Sequence, residues 1–216
     1  NAMALRLLSS ILKREFPGDD INIILLSHKF LPPRMDFDTE TPEDLKAIQE
    51  FFELQQFDIV GISLMTNYLP RAIQITQAIR EVAGKTKILW GGIHPTLCPE
   101  ECTQYADIVF VGEAEKSFPE VISRLKNNQP LNDMPGIWFR KNGTVIGQGS
   151  CPACIDLNTL PQPDYDFSSQ YIYSPEDQQV IPMRADHISR SDSAFYGGKP
   201  FHRIISARGC SQACSY

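Results

Sequence analysis

The sequence predicts an α/β fold with a doubly wound parallel sheet, that is, a sheet covered by helices on both faces. Short apolar runs typical of buried strands alternate with amphipathic helical segments between residues 4 and 133. Two of these runs, at 57–66 and 87–96, pass directly into small or polar residues. Alternation of this kind favours parallel strands, and ligands then bind at the carboxyl edge of the sheet. We therefore expect a binding site where these two runs end.

Four strands and four helices are predicted in this first part of the chain. Prolines, glycines and capping residues mark the helix boundaries: Pro17–Gly18 after the first helix, Thr41–Pro42 before the second, Gly84 after the third, and a capping box from Ser117 to Glu120 at the fourth. The predicted strands are 21–27, 58–63, 87–90 and 107–111. The predicted helices are 4–16, a segment beginning at 42, 70–83, and a segment beginning at 117, with a loop at 28–39 and one helical turn at 99–104.

The sequence pattern changes after residue 133. Residues 137–146 have the signature of a β-hairpin with Asn142–Gly143 at its turn. Residues 149–202 are rich in proline, aspartate and serine, which predicts a linker that wraps a surface without a core of its own. The predicted organisation is a tag remnant and start methionine at 1–3, a ligand-binding domain at 4–133, a β-hairpin appendage at 134–148, a linker at 149–202 and the start of a further domain at 203–216.

The composition argues against a nucleic-acid-binding protein and against a membrane protein. The 216 residues carry a formal net charge of −6, which argues against a nucleic-acid partner because no basic patch is available for phosphates. No apolar run approaches the roughly 20 residues of a membrane span, and the first residues lack the layout of a signal peptide. We therefore expect a cytoplasmic protein with no membrane partner.

The six cysteines form three close pairs, at 98 and 102, 151 and 154, and 210 and 214. In a cytosolic protein such pairs favour metal or redox chemistry over disulfides, although many cysteines are simply small buried hydrophobic residues. The pair at Cys210 and Cys214 lies in a loop that follows a short apolar run at 203–207.

An ordered set of segments resembles the cobalamin-binding class of radical S-adenosylmethionine (radical SAM) enzymes. In that family a corrinoid-binding, Rossmann-like (flavodoxin-like) domain precedes a radical SAM barrel. The matching segments are GISLMTNY at 61–68, GGIHPTLCPEEC at 91–102, VGEAEKSFPEV at 111–121, MPGIWFRKNGTVI at 134–146, IDLNTLPQPDYD at 155–166 and ISARGCSQACSY at 205–216. The order of the set is more specific than any single member.

The resemblance assigns a metal-binding role to Cys210 and Cys214. They match the first two cysteines of a Cys-x3-Cys-x2-Cys loop, whose thiolates hold a 4Fe-4S cluster with one iron open to S-adenosylmethionine. Tyr216 matches the aromatic residue before the third cysteine, so the sequence ends within this motif. Two thiolates do not retain such a cluster. We therefore expect the cluster and S-adenosylmethionine only in the full-length enzyme.

The resemblance also implies a cobalamin site at the strand ends. It assigns hydrogen bonds with the cobalamin tail to Ser63 and Thr66, and close backbone approach to Gly91–Gly92, where a Cβ would obstruct the ligand. We accordingly expect Gly92→Val to abolish binding, although Gly-Gly on its own is also typical of a tight turn. The full set of predicted cobalamin-binding residues is Ser63, Met65, Thr66, Gly91, Gly92, His94, Gly112, Glu113 and Glu115.

Two departures from the family pattern affect these expectations. The Asp-x-His-x-x-Gly motif that supplies a lower axial histidine in some corrinoid proteins is absent; His28 has a different context, and His94 is the remaining candidate to face cobalt. The strand that normally precedes the first helix is also missing, which would leave a gap inside the sheet. Residues 203–207 could fill this gap, within one molecule or by exchange in a homodimer. Alternatively, 21–27 could pair directly with 58–63.

Three functions are therefore compared. The leading hypothesis is the cobalamin-binding portion of a radical SAM enzyme, either a methyltransferase or a catalyst of rearrangement or cyclisation. No catalytic residue is expected in the fragment itself, which should be inactive without the barrel of its parent chain. A noncatalytic corrinoid carrier or sensor is the alternative. A phosphoryl-receiver-like domain would need acids at the end of its first strand, whereas Asp19–Asp20 precede a strand.

Overall fold

A computed structural model describes residues 3–25, 42–153, 156–184, 187, 195–196 and 199–200. The α-helices are α1 (Met3–Glu15), α2 (Pro42–Leu54), α3 (Leu69–Val82), α4 (Ile93–Leu97), α5 (Pro99–Cys102) and α6 (Ser117–Lys126). The strands are β1 (Ile23–Leu25), β2 (Ile59–Ser63), β3 (Lys87–Gly91), β4 (Ile108–Phe110), β5 (Ile137–Lys141), β6 (Thr144–Ile146), β7 (Gln170–Ser174), β8 (Gln179–Pro182), β9 (Phe195–Tyr196) and β10 (Lys199–Pro200). Short 3-10 helices lie at Thr66–Tyr68, Leu157–Thr159 and Phe167–Ser169.

The main sheet has five strands in the order β2-β3-β4-β5-β6. The first three are parallel, as predicted, and the register pairs Ser63 with Gly91, so that both strands end at the same level. The predicted hairpin forms β5 and β6, and β5 continues the sheet by pairing antiparallel with β4. Asn142 and Gly143 both have positive φ at its turn, as Asn-Gly predicts for a type I′ turn.

Helices cover both faces of this sheet, which confirms the doubly wound α/β fold. Alternate residues of β3 point to opposite sides: Ile88 and Trp90 pack with α2 and α3, whereas Leu89 packs with α1 and α6. Trp90 is fully buried, and its indole N–H donates a hydrogen bond to Thr76 Oγ1 of α3 at 3.1 Å. Each core thus packs on β3, the middle one of the three parallel strands.

The predicted linker contains ordered structure. Strands β7 and β8 form an antiparallel hairpin, and β7 pairs parallel with β1, with Ile23 opposite Gln170. Tyr171 of β7 also packs against Phe51 of α2, with ring centroids 4.9 Å apart. The expectation of a plain linker at 149–202 is therefore corrected for this hairpin, whose strands join β1 in a second sheet, β1-β7-β8. Its apolar residues Tyr171 and Val180 pack against the core formed with α2 and α3.

The segment before this hairpin is fastened to α1. Asp164 is buried, and its carboxylate accepts a hydrogen bond from Ser9 Oγ at 2.7 Å and lies 2.9 Å from Lys13 Nζ. Arg6 donates from one guanidinium nitrogen to the Asp164 carbonyl at 2.8 Å and to Gln170 Oε1 at 2.7 Å. The prediction that this segment wraps a surface agrees with these contacts, and the surface is one side of α1.

A long trench separates β1 from the main sheet. One edge of β2 pairs with β3 and one edge of β1 pairs with β7; within the described ranges the opposite edges of both strands have no strand partner. Residues of both strands, including Ile24 and Val60, line the same cavity. The predicted alternative, direct pairing of 21–27 with 58–63, is therefore wrong for the described strands β1 and β2. Residues 203–207 lie outside the described residues, so strand replacement and exchange in a homodimer remain predictions.

The predicted capping box at Ser117 is wrong. The N-cap of α6 is Lys116, and no side-chain hydrogen bond caps this helix. Ser117 is instead buried at the start of the helix. The predicted loop at 28–39 and the predicted cap at Thr41 lie outside the described residues. No helix in the described part of the chain is long and apolar enough to span a membrane.

Candidate functional site

The carboxyl ends of three parallel strands meet at one edge of the main sheet. Ser63 ends β2, Gly91 ends β3 directly opposite it, and Gly112 follows β4 after one intervening residue. Side chains at such positions normally fill the space above a sheet, and here two of the three residues have none. The edge therefore exposes backbone and one hydroxyl group, a surface that a large ligand can approach closely.

Gly92 holds the loop after β3 against the end of β2. Its φ is 105° and its ψ is −165°, a conformation that is essentially restricted to glycine. A Cβ at this position would lie 2.6 Å from the carbonyl oxygen of Leu64 and 3.3 Å from Ser63 Oγ. The protein's own backbone therefore requires glycine at this position, whether or not a ligand binds. From the sequence a different reason was expected, namely close approach of the ligand.

Gly91 has a different environment. A Cβ at Gly91 would lie 3.7 Å from Cβ of Phe110, an ordinary van der Waals contact, and its φ is not in the positive range. The protein itself thus tolerates a side chain at Gly91. Of the two adjacent glycines, only Gly91 can report on ligand approach without disturbing the loop.

The loop after β4 is tied to the same edge. The Gly112 amide donates a hydrogen bond to Thr96 Oγ1 at 3.0 Å, and Thr96 in turn donates from this hydroxyl to the Gly92 carbonyl at 2.8 Å. Gly112 also has positive φ, and a Cβ there would lie 2.2 Å from Ser150 Oγ. The two glycine loops are thus joined through one threonine hydroxyl, which fixes their relative positions.

These strand ends open into a cavity of about 1630 Å³ that continues along the trench beside β2. It is larger than the 300–1,000 Å³ or so of ordinary small-molecule pockets. Six of the nine predicted cobalamin-binding residues line it: Ser63, Gly91, Gly92, Gly112, Glu113 and Glu115. The sequence interpretation missed Tyr68 and His187, which line the same cavity. Tyr68 could have been predicted, because it follows a strand end closely. His187 could not, because it lies in a segment without periodicity.

The other three predicted residues lie elsewhere. Met65 is 51% exposed and Thr66 is also exposed, and neither lines the cavity. His94 is only 3% exposed and lies behind the glycine loop, where its Nδ1 is 3.4 Å from Thr66 Oγ1 and its Nε2 is 3.5 Å from Glu101 Oε2. His94 is the second residue of α4 and does not line the cavity.

Two cysteines have structural roles. Cys102 is fully buried in the core beside Trp90, and burial, followed by the nearby Glu101 and Cys98, raises the pKa of its thiol to about 12. Burial likewise raises the pKa of the Cys151 thiol, whose backbone N–H donates to the Val111 carbonyl at 2.7 Å. Both side chains therefore stay protonated at neutral pH. Cys154, Cys210 and Cys214 lie outside the described residues.

The shape and chemistry of the crevice fit a corrinoid. A corrin with its nucleotide tail is long and amphiphilic, and the cavity offers length along β2, glycine backbone at the strand ends, and the exposed Ser63 hydroxyl. His94 is buried and does not line this cavity, whereas His187 does. The fit is therefore to a tail and ring that pass small residues at the strand ends.

Comparisons with known proteins agree with this geometry. The family model described as the B12-binding domain matches residues 3–122. An uncharacterized methyltransferase of Pyrococcus horikoshii is 26% identical over 163 residues, covering 74% of this chain and 31% of that protein. The anaerobic magnesium-protoporphyrin IX monomethyl ester cyclase of Synechocystis is 27% identical over 164 residues, covering 74% of this chain and 29% of the cyclase.

A solved structure has the same fold. The cobalamin-dependent S-adenosylmethionine radical enzyme OxsB, with aqua-cobalamin and S-adenosylmethionine bound, aligns with a TM-score of 0.57 and 17% identity over 89% of this chain and 28% of OxsB. The chain spans less than a third of the length of these relatives. The family model covers more than half of the chain and includes β1 to β4 with their helices. The chain therefore belongs to the B12-binding domain family.

Proposed function

We propose that this chain binds cobalamin in the crevice formed by Ser63, Gly91 and Gly112, and that it is the cobalamin-binding portion of a radical SAM enzyme. The observation that carries the proposal is the alignment of three adjacent strand ends without bulky side chains, opening into one cavity large enough for a corrinoid. Membership of the B12-binding domain family supports the same ligand.

Each part of the crevice has a separate role in the proposed binding. Ser63 Oγ donates or accepts a hydrogen bond with the polar tail of the ligand. Gly91 allows the tail to pass within van der Waals distance of the β3 backbone, because no side chain lies between them. The hydrogen-bonded pair of loops at Gly92 and Gly112 holds this surface in place before the ligand arrives, which lowers the entropic cost of binding.

The reaction of the parent enzyme belongs to the same proposal. Bound cobalamin would supply a cobalt centre capable of carrying an alkyl group, and the domain's residues would hold it, orient it and limit its exposure to water. The names of the relatives support either a methyltransferase or a cyclisation enzyme. Cys210 and Cys214 are proposed as two of the three thiolates for a 4Fe-4S cluster that binds S-adenosylmethionine in the full-length chain.

The parent sequence distinguishes an enzyme from a carrier or sensor. An enzyme requires a cysteine three positions after Cys214 and a barrel-length continuation, and the extended protein should then take up stoichiometric iron and sulfide on anaerobic reconstitution. The present chain should take up no stable cluster, because it offers two of the required thiolates. A parent protein that ends near residue 216 would instead support the noncatalytic corrinoid carrier.

Cobalamin binding is tested directly by titration. We expect purified protein to change the visible absorbance of hydroxocobalamin and to retain it through gel filtration, since the crevice is present without the barrel that would cover it. Ser63→Ala should weaken binding by up to about tenfold, as expected for the loss of one hydrogen bond. Ser123→Ala on α6, away from the crevice, is the matched control. No change at hundreds of micromolar ligand would refute the proposal.

A further inference from the structure

Three metal-ligating side chains lie together behind the glycine loop. They are His94 on α4, Cys98 between α4 and α5, and Glu101 on α5, and one ligand atom from each lies within 4.8 Å of the other two. Their spacing of four and three residues places them on one face of nearly continuous helical turns, because the Cys98 amide donates to the His94 carbonyl at 2.8 Å. The sequence did not predict that these three side chains form one site.

The imidazole of His94 points to a missing partner. The residue is 3% exposed, and its Nε2 is buried without a hydrogen-bond partner. Its other nitrogen, Nδ1, lies 3.4 Å from Thr66 Oγ1, which suits an Nδ1–H that donates to this hydroxyl. That tautomer leaves a lone pair on Nε2, and Glu101 Oε2 lies 3.5 Å from this nitrogen. A buried, unpartnered lone pair on Nε2 beside a carboxylate oxygen calls for a cation between them.

We propose that His94 Nε2, Cys98 Sγ and Glu101 Oε2 bind a divalent transition-metal ion of the Zn²⁺ class. Imidazole, thiolate and carboxylate are the three ligand types that Zn²⁺ takes in proteins, at roughly 2.0–2.3 Å from the ion. Tetrahedral geometry then requires ligand atoms about 3.3–3.8 Å apart. The observed 3.5 Å between Nε2 and Oε2 already lies in this range, and the third atom needs to move by about an ångström.

The alternative to a metal ion at His94 Nε2 is a proton. A charged imidazole would form an ion pair with Glu101, but charge-assisted N–H···O bonds are about 2.7–2.9 Å long, shorter than the observed separation. Glu101 is also 46% exposed at its side chain, so water competes for its carboxylate. A thiol at Cys98 contributes nothing to such a pair, whereas a metal ion uses all three side chains.

The proposed ion would fasten the loop that forms the crevice. His94 lies two residues after Gly92, and its backbone N–H faces the Leu64 carbonyl at 3.4 Å. Thr66, which orients the imidazole, follows β2. The ion would therefore join the end of β2 to the turns after β3 from behind, while three protein ligands leave its fourth position open to water or another donor.

The test uses Co²⁺ as a spectroscopic substitute for Zn²⁺, in protein free of cobalamin. To remove competing thiols, the starting variant carries Cys154→Ser, Cys210→Ser and Cys214→Ser. We expect one equivalent of Co²⁺ to produce thiolate-to-cobalt charge-transfer absorption and the strong visible bands of a tetrahedral site, and Zn²⁺ to displace it. Zn²⁺ should also raise the melting temperature. Because the readout needs no corrinoid, its result is independent of the cobalamin titration.

Matched variants assign the ligands. Cys98→Ser should remove the charge-transfer band, and Glu101→Gln should weaken metal binding more than tenfold, whereas Glu100→Gln, exposed on the same turn, should leave it unchanged. Thr66→Val should weaken it by roughly 10–100-fold through the loss of the orienting hydrogen bond. The proposal is overturned if no equivalent of Co²⁺ binds, or if the charge-transfer band survives Cys98→Ser.

Discussion

Replacing Gly92 with alanine is expected to destabilise the domain by about 2–4 kcal/mol and to abolish the response to hydroxocobalamin. The backbone conformation at Gly92 is one that residues with a Cβ rarely adopt, and the added carbon would lie 2.6 Å from the Leu64 carbonyl oxygen. The loop must shift to relieve this contact, and the shift disturbs the hydrogen bond from Thr96 to the Gly92 carbonyl. Urea unfolding measures the first effect and visible absorbance the second.

The adjacent glycine provides a control of the same size and chemistry. Gly91→Ala should leave the free energy of unfolding within about 0.5 kcal/mol of wild type, because its Cβ makes an ordinary contact with Phe110. Any loss of hydroxocobalamin binding in this variant then measures how closely the ligand passes β3. If Gly92→Ala proves as stable as Gly91→Ala, the structural requirement for glycine at Gly92 is wrong.

The main sheet could be predicted from the sequence because its strands are buried apolar runs that end abruptly. Strand β3 places Ile88, Leu89 and Trp90 in the core, and it stops at Gly91 just where the apolar run stops. The hairpin of β7 and β8 was missed because its apolar runs are short: β7 has three apolar or aromatic residues in a row, and β8 has only Val180 and Ile181 before a proline. Its pairing with β1 is a tertiary contact that no local pattern encodes.

The candidate site was predictable to the extent that it depends on strand ends. Ser63 and Gly91 meet because parallel strands carry their carboxyl ends to one edge, which is a general property of the fold. The position of His94 was not predictable, since it depends on a helix that starts one residue earlier. The contact of Gly92 with Leu64 likewise arises from the neighbouring strand rather than from residues adjacent in sequence.

The second large effect is expected at the contact between α1 and the segment that precedes β7, where a substitution should lower the free energy of unfolding. Asp164 is the centre of this contact, since its carboxylate accepts from Ser9 and pairs with Lys13 while its side chain is 6% exposed. Asp164→Asn removes the charge but keeps the size of the side chain. We expect it to lower the free energy of unfolding at neutral pH by about 1.5–3 kcal/mol, the range for a lost hydrogen bond to a charged group.

The pH dependence of this effect follows from the pKa of Asp164. Burial alone would raise that pKa, but the hydrogen bonds from Lys13 and Ser9 outweigh burial and leave it below its ordinary value. A carboxylate with a lowered pKa in the folded state contributes stability above the unfolded pKa of about 3.9, and loses it as the pH falls through the folded pKa. The difference in stability between wild type and Asp164→Asn should therefore be constant near neutrality and shrink below about pH 4.

Urea unfolding at several pH values measures this difference, and Asp166→Asn provides the matched control. Asp166 lies two residues away and caps the 3-10 helix at Phe167–Ser169, but its side chain is exposed to solvent and asparagine serves equally well as a cap. Hydrogen bonds from the Ser168 backbone and hydroxyl lower the pKa of Asp166 as well. Asp166→Asn should therefore also lose some stability near neutrality, but less than Asp164→Asn, because solvent screens the exposed carboxylate. If the two variants behave alike, or if the effect of Asp164→Asn does not diminish in acid, then the ionised carboxylate of Asp164 does not hold this segment on α1, and the fastening depends instead on the Arg6 contacts with the Asp164 carbonyl and Gln170.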